Sequence, residues 1–328
     1  MDDPKDTLVP LREPFDERSA EFDNAVATHN TRRGYTSDLK HFGYWCQQNS
    51  ISSKLPIPPA IVARYLTACA SSFKVSTLER RLAAISMFHR QAGFESPTHD
   101  LVVQTRLKGI KRVMGTHQDP QLPLRIDLLE KILGVIPDTT LAGLRDRSLL
   151  LTGYVGGFRR TEFVLMDVAQ LEVKQDRIVI HLYRTKTDQE AKGSQVVLLK
   201  HPTRIDLCPV NALIRWLHYA KIGSGDVYRA FDSKGQITGH APNEAIVTRI
   251  IKERMVELGL NPKGYSAHSL RAGFVTDAMA NGALPHEVMR QTRHRKVETV
   301  LKYQRESDPL AGNAVNVLWK GKKDETKK

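Results

Sequence analysis

The segment at residues 265–271, YSAHSLR, carries two side chains that suit the chemistry of phosphate esters. His268 and Arg271 are three residues apart, so they share one face if the segment is helical, and Ser266 can cap such a helix. A guanidinium binds two phosphate oxygens in a fork, and an imidazole can donate a hydrogen bond or move a proton. Most pairs with this spacing are ordinary surface residues, so the pattern needs support from elsewhere in the chain.

A second segment, GGFRRTE at residues 156–162, places Arg159 three residues before Glu162. The paired glycines end one helix, and a helix that starts after them would put both side chains on one face. The carboxylate could then hold the guanidinium in place. Two alternatives stay open, a simple helical salt bridge and Arg160 as the functional arginine.

Two lysines lie in a polar stretch from Thr185 to Gly193, between two runs of residues that are typical of strands. A lysine on such a hairpin loop can reach a leaving oxygen and protonate it. Either Lys186 or Lys192 could do so, although a solvated loop lysine is the usual interpretation.

Near the end of the chain, His294 precedes Tyr303 by nine residues. In one unbroken helix, nine steps of about 100° would put the two side chains on opposite faces. A shared site therefore requires a break between them, and we predict it near Arg295 and Lys296. A lone tyrosine is usually structural, so the spacing alone assigns no function to Tyr303.

The order of these residues is more specific than any one of them. GxRxxE, a hairpin lysine, HxxR, histidine and tyrosine resemble the tyrosine recombinase (phage integrase) family over nearly the whole chain, and the RTKT at 184–187 is similar to its Cre branch. The resemblance implies six catalytic residues: Arg159, Lys186, His268, Arg271, His294 and Tyr303, with Glu162 in support.

The resemblance also implies a mechanism. Tyr303 would attack a DNA phosphate held by Arg159 and Arg271, with His294 adding a hydrogen bond. His268 would accept the tyrosine proton, and Lys186 would protonate the departing 5′ oxygen. The product would be a 3′-phosphotyrosine, which a 5′ hydroxyl from a partner duplex resolves through a Holliday junction. No metal, ATP or other cofactor is expected.

Two positions depart from the family pattern. Arg293 stands where members often have glycine before the second histidine, and Arg305 stands where many have histidine after the tyrosine. In Cre the residue aligned with His294 is tryptophan. We expect these departures to affect the subfamily rather than the chemistry.

The elements that must position these residues suggest a mainly α-helical protein with a small antiparallel β-sheet and two domains that clamp DNA. Helices are predicted at 61–68, 76–92 with Ser76 as its cap, 125–135, 140–154, 209–219 and 243–258, and strands at 177–182 and 195–199. The basic module at 24–114 is similar to the family's core-binding domain. Its predicted DNA-binding residues are Arg32, Arg33, Lys40, Arg80, Arg81 and Arg90.

Charge and composition agree with a polyanionic partner. The formal net charge is +13, residues 1–23 hold eight acidic and three basic residues, and residues 24–115 hold thirteen basic and four acidic residues. We expect an acidic arm at 1–23, a linker at 115–124 where glycine and proline cluster, and a catalytic domain at 125–308. The three cysteines are too far apart to suggest a zinc site or a disulfide framework.

The family implies double-stranded DNA with an inverted-repeat core site and a homotetramer on two duplexes. A C-terminal helix and basic tail at 309–328 would dock on a neighbouring protomer or pack on its own domain. The protein is expected to be cytoplasmic and nucleoid-associated, from a bacterium, phage or plasmid, and not bound to a membrane. Alternatives are a non-catalytic DNA-binding accessory protein, an integron integrase, a telomere resolvase and a type IB topoisomerase.

Overall fold

The computed structural model describes residues 29–115, 121–183 and 193–307. The chain divides into two compact units between residues 118 and 119. Each unit has its own cluster of buried apolar side chains. The predicted acidic arm, the loop lysines Lys186 and Lys192, and the segment at 309–328 lie outside the described residues, as does the middle of the linker. The predicted domain boundaries therefore stay predictions.

The described part of the N-terminal unit is built from helices. They are α1 (His29–Gln48), α2 (Pro59–Ala70), α3 (Val75–Gln91) and α4 (Leu101–Met114). Asp100 caps α4 by accepting a hydrogen bond from the Val102 amide at 2.8 Å. The α3 side chains that were predicted to share a face, Leu78, Leu82 and Ile85, are all buried in the core of this unit.

Arg81 corrects one of the predicted DNA-binding positions. It lies on α3 but turns into the core, with only 5 % of its surface exposed. Its Nε lies 3.7 Å from Asp38, its Nη1 contacts the Cys69 sulfur at 3.2 Å, and its guanidinium stacks 3.8 Å above the Phe73 ring. A cation that is buried and engaged in this way cannot meet a DNA phosphate without leaving the core, so the prediction for Arg81 was wrong.

The described part of the C-terminal unit is mixed. Its helices are α5 (Ile126–Gly134), α6 (Leu141–Val155), α7 (Arg160–Val164), α8 (Pro209–Tyr219), α9 (Ile246–Glu257), α10 (Ala267–Ala280), α11 (Pro285–Thr292) and α12 (Val297–Ser307). Helix α6 is buried along most of its length. Thr140 caps α6 by accepting a hydrogen bond from the Gly143 amide at 3.1 Å.

Three short strands form one antiparallel sheet in the order β1 (Leu171–Val173), β2 (Arg177–Leu182) and β3 (Ser194–Leu199). Ile178 pairs with Leu198 and Ile180 pairs with Val196, and these four side chains are fully buried. The sheet thus packs one face on the core, and the antiparallel strands β2 and β3 lie on either side of the predicted lysine-bearing loop.

The predicted fold class is confirmed, with local differences. The strand β1 was not predicted as a separate element, because three residues carry too little alternation to be recognised. Ser76 does not cap α3, which begins one residue earlier, after Lys74 in extended conformation. No helix in the described part of the chain is long and apolar enough to cross a membrane.

Candidate active site

Helix α10 carries the HxxR pair. Ser266 caps the helix by accepting from the His268 amide at 3.3 Å, as predicted, and its own amide donates to Ser269 Oγ at 3.0 Å. Arg271 is 1 % exposed, and its Nη1 donates to the Gly157 carbonyl at 2.5 Å. A buried guanidinium held by a single carbonyl keeps most of its donors available to another acceptor.

The GxRxxE segment lies where α6 ends and α7 begins. Gly157 has φ of 52° and reverses the chain, which is a conformation that favours glycine. Arg159 lies at the N-cap of α7 rather than in its first turn. Its amide donates to Glu162 Oε2 at 2.8 Å and its Nη1 to Glu162 Oε1 at 2.7 Å. Glu162 therefore holds the Arg159 guanidinium, as the spacing suggested, and it also binds the Arg159 amide, which was not predicted. Arg160 is instead paired with Glu244 at 3.0 Å.

Arg293 is a member of this cluster that the sequence analysis did not identify. It has φ of 59°, the left-handed conformation, at the C-cap of α11. Its Nη2 donates to Glu162 Oε2 at 2.5 Å, and its guanidinium lies 5.2 Å from the Phe158 ring centroid. Glu162 thus binds two arginines. The available signal was conformational, because an arginine in a position that suits glycine is strained and requires a compensating contact.

The turn after α11 supplies the predicted break before Tyr303. Helix α11 ends at Thr292, α12 begins at Val297, and His294 lies between them. His294 Nδ1 is 2.7 Å from Thr292 Oγ1, and its ring centroid is 6.4 Å from that of Tyr303. The change of direction brings side chains together that a single helix would have separated.

Tyr303 on α12 reaches back to the HxxR pair. His268 Nε2 and the Tyr303 hydroxyl are 3.1 Å apart, within hydrogen-bond distance. The tyrosine ring also packs beside the small apolar cluster of Val275, Val288 and Val300. An imidazole that is in contact with a phenol can accept its proton as the phenol attacks.

The electrostatics of the site favour an anion. Although part of the His268 ring is open to solvent, burial and then the neighbouring charges of Arg271 and Arg159 lower its pKa. Burial and the other arginines lower the pKa of Arg271 to about 10, against the opposing effect of Glu162. Burial, followed by the nearby charges of Arg271 and Arg159, lowers the pKa of His294 to about 3. A bound anion would relieve the repulsion that all three groups experience.

Five of the six predicted catalytic residues therefore meet in one place: Arg159, His268, Arg271, His294 and Tyr303. Lys186 lies outside the described residues. Within the described ranges no cluster of histidine, cysteine, aspartate and glutamate side chains has the geometry to hold a metal ion. The side chains that meet in this site are those of arginine, histidine and tyrosine.

The predicted DNA-binding residues of the N-terminal unit differ in their surroundings. Arg32, Arg33, Lys40 and Arg90 are exposed. The Arg80 side chain is 47 % exposed, and its Nη1 bonds Asp38 at 2.7 Å and the Gly34 carbonyl at 3.3 Å. Exposure is compatible with phosphate contact at these positions, in contrast to Arg81.

Comparison with known proteins agrees with this geometry. Residues 124–309 match the phage integrase family, and residues 24–95 match the phage integrase N-terminal SAM-like domain. The chain is 30 % identical to an integrase/recombinase xerD homolog of Selenomonas ruminantium, over 88 % of this chain and 85 % of that protein. It is 20 % identical to recombinase cre of Escherichia phage P1, over 91 % and 90 % of the two chains. A solved structure of XerH recombinase bound to palindromic difH has a similar fold, with a TM-score of 0.61 at 17 % identity, covering 88 % of this chain and 79 % of that one.

Proposed function

The chain belongs to the phage integrase family of tyrosine recombinases, and from that membership we propose that this site cuts and rejoins DNA through a bond between Tyr303 and a backbone phosphate. The protein is a site-specific DNA recombinase. The observation that carries the residue assignment is the approach of Tyr303 on α12 to His268 on α10, the helix that also carries the buried Arg271.

Arg159 and Arg271 bind the non-bridging oxygens of the scissile phosphate. In the pentacoordinate transition state these oxygens gain negative charge, which preorganised guanidiniums stabilise more strongly than they stabilise the ground state. Glu162 holds Arg159 in place before DNA arrives, so little reorganisation is needed. His294 contributes a further hydrogen bond to the same phosphate.

Tyr303 attacks phosphorus as its proton moves to His268. A phenol has a pKa of about 10 and is a poor nucleophile while protonated. His268 Nε2 lies at 3.1 Å from the hydroxyl, and its lowered pKa keeps the ring neutral and able to accept at neutral pH. Arg271 also stabilises the developing phenolate, since Tyr303 is close enough to affect the pKa of that guanidinium.

The leaving group is the 5′ oxygen of the next nucleotide. The bond from phosphorus to this oxygen breaks as the bond to the Tyr303 oxygen forms, and Lys186 donates a proton to the departing oxygen. The phosphodiester is conserved as a 3′-phosphotyrosine, so a 5′ hydroxyl from a partner duplex can reverse the step and join new strands. Because the phosphotyrosine bond retains the energy of the broken phosphodiester, the rejoining step requires no external energy source.

The DNA partner is double-stranded, and the expected assembly is a homotetramer on two duplexes. Related structures support the DNA part of this proposal: XerH is bound to a palindromic substrate, and a lambda integrase dimer is bound to a core site. A dimer on each inverted-repeat site gives two active sites per duplex, and two duplexes then give four. Strand exchange through a Holliday junction follows from that number.

A covalent-adduct assay tests the proposal. The DNA around the gene is searched for inverted repeats, and the protein is mixed with duplexes that carry them, denatured, and separated by gel electrophoresis. We expect a protein band with DNA attached, and no such band from Tyr303→Phe. Tyr219→Phe is the matched control, since this exposed tyrosine lies at the end of α8, outside the site. If the parent protein and Tyr303→Phe both bind DNA and neither forms an adduct, the result would favour a non-catalytic DNA-binding protein.

Alanine substitutions test whether Lys186 or Lys192 protonates the departing 5′ oxygen. Lys186→Ala should slow cleavage of ordinary DNA and regain most of the rate on a substrate with sulfur at the 5′ bridging position, because a thiolate leaves without a proton. Lys192→Ala should cleave both substrates at the parent rate. The reverse pattern would move the acid to Lys192.

A further inference from the structure

The hydrogen bonds around Thr292 determine where the proton of His294 resides. The Thr292 hydroxyl lies 2.6 Å from the Val288 carbonyl oxygen and 2.7 Å from His294 Nδ1. A carbonyl oxygen only accepts, so the single hydroxyl proton of Thr292 must point to Val288. The oxygen of Thr292 is then an acceptor toward His294, and Nδ1 must carry the hydrogen.

From this chain of bonds we propose that Thr292 is a positioning residue, which holds neutral His294 as the Nδ1–H tautomer and leaves Nε2 without a proton. The proposal rests on the proposed function, in which His294 bonds the scissile phosphate. Because a bare Nε2 cannot donate to a phosphate oxygen, His294 must take up a proton from solution when the phosphate binds. Binding and protonation at this site are thereby linked.

The groups that face His294 make the linkage strong. The titratable and charged side chains around it in the described part of the chain are Arg159, His268, Arg271, Arg293 and Tyr303. With no anion present, burial and these cations oppose a charge on the ring. One negative charge about 3 Å from Nε2, at an effective dielectric of about 20, favours the imidazolium on the order of ten-thousand-fold. That is enough to bring the protonated ring into the physiological range.

Thr292 is well placed for this role and rigid. Its side chain is fully buried, and its Cγ2 methyl lies against Gly157, where an added Cβ would be only 2.7 Å from it. Val288, which accepts the hydroxyl proton, belongs to the same helix, α11. The turn can therefore orient the imidazole without any contact to substrate.

The variants Thr292→Val and Thr292→Ser distinguish the hydrogen bond made by the Thr292 hydroxyl from the packing of its methyl group. Valine keeps the methyl that packs on Gly157 but removes the acceptor, so the neutral ring of His294 should change to the Nε2–H tautomer. Serine keeps the acceptor and should retain Nδ1–H. Nitrogen-15 NMR of the His294 ring reports the tautomer directly. It is recorded without DNA, and the parent and both Thr292 variants all carry Tyr303→Phe. An Nε2–H ring in the parent protein, or the same tautomer with valine and with threonine, would overturn the proposal.

Sulfate tests the linkage without DNA. It is a tetrahedral oxyanion that does not titrate near neutral pH, and its saturation can be followed by the guanidinium signals of Arg159 and Arg271. At about pH 6 we expect sulfate to convert His294 to the doubly protonated ring in the parent and Thr292→Ser proteins, and much less in Thr292→Val, where a neutral donor already suffices. A parent ring that stays neutral under saturating sulfate would refute proton uptake. Neither result depends on the adduct assay, so this proposal and the proposed function can fail separately.

Discussion

Arg271 shows why the function of a residue here depends on burial. Its guanidinium is buried away from water and lies close to Arg159. A bound phosphate can replace the favourable interactions with water that burial removes. The spacing of His268 and Arg271 predicted a shared helical face, but it could not predict that one of the two would be buried. That property depends on packing between elements that are far apart in sequence.

We predict that Arg271→Lys lowers the single-turnover rate of adduct formation by on the order of a hundredfold or more. Lysine keeps the charge but cannot form a fork to two phosphate oxygens, and loss of one preorganised donor has effects of that size. The rate is measured by quenching with denaturant, with Arg215→Lys on α8 as a control that should retain the parent rate. A decrease of less than threefold would contradict a direct role for the fork.

At the residue scale the sequence predicted Arg159, Glu162, His268, His294 and Tyr303 as members of one site, and the structure brings them together. Their individual roles stay predictions. Thr292 and Arg293 escaped recognition because their importance arises from backbone conformation and hydrogen-bond direction. Neither of these can be read from residue type or spacing.

Among the elements, the turn between α11 and α12 contributes most to the site. The helical angle predicted that His294 and Tyr303 require a break, and the break occurs after Arg293, in the left-handed conformation. The predicted position, near Arg295 and Lys296, lies within this break, because α11 ends at Thr292 and α12 begins at Val297. Strand β2 matched its predicted limits because it contains a run of β-branched residues, which is typical of a strand, whereas β1 is too short to show a pattern.

Helix α10 is positioned by a close backbone approach at Gly273. A Cβ at this glycine would lie 1.8 Å from the Leu124 carbonyl oxygen, which is backbone and cannot rotate away. We expect Gly273→Ala to lower the free energy of unfolding by about 3 kcal/mol or more and to reduce adduct formation, because the helix that carries Arg271 must shift. Urea unfolding gives the first quantity.

The matched control for that experiment is Gly134→Ala at the end of α5, where an added Cβ meets nothing within 4 Å. This variant should be as stable as the parent or more stable by up to about 1 kcal/mol, since alanine lowers the entropy of the unfolded chain. Equal effects of the two substitutions would show that the approach at Gly273 is not tight.

At the scale of the whole molecule, a buried histidine makes the N-terminal unit sensitive to acid. In the N-terminal unit His89 is fully buried, its Nδ1 bonds the Ile85 carbonyl at 2.8 Å, and its Nε2 accepts from the Ile57 amide at 3.0 Å. Both bonds together require the neutral ring. Burial lowers the pKa of His89, although the bond to Ile85 opposes this effect.

The sign of the pH dependence follows from the lowered pKa. The unfolded chain takes up the His89 proton at about pH 6.5 and the folded unit only below that, so the stabilisation is complete above about 6.5 and is lost as the pH falls toward the folded value. Between about pH 7.5 and 5.5, exchange protection of the Ile57 amide, corrected for intrinsic rates, should fall by up to about tenfold. His89→Gln should flatten this dependence, and His99→Gln, at an exposed histidine, should not. An unchanged slope in His89→Gln would assign the sensitivity to another group.

Charge distribution predicted the class of partner better than it predicted the individual contacts. The basic excess in residues 24–115 suggested a DNA-binding module, and this stretch includes all of residues 24–95, which match the N-terminal SAM-like domain. The prediction that Arg81 binds DNA was wrong because the net charge of a segment does not show which of its cations are buried beside an acid such as Asp38.

The most direct test of the whole account is to locate the protein–DNA bond. The covalent complex is digested with nuclease and protease, and the modified peptide is sequenced by mass spectrometry. We predict a nucleotide joined through its 3′ phosphate to Tyr303, with a free 5′ hydroxyl on the released strand. Attachment to any other side chain, or through a 5′ phosphate, would contradict the account.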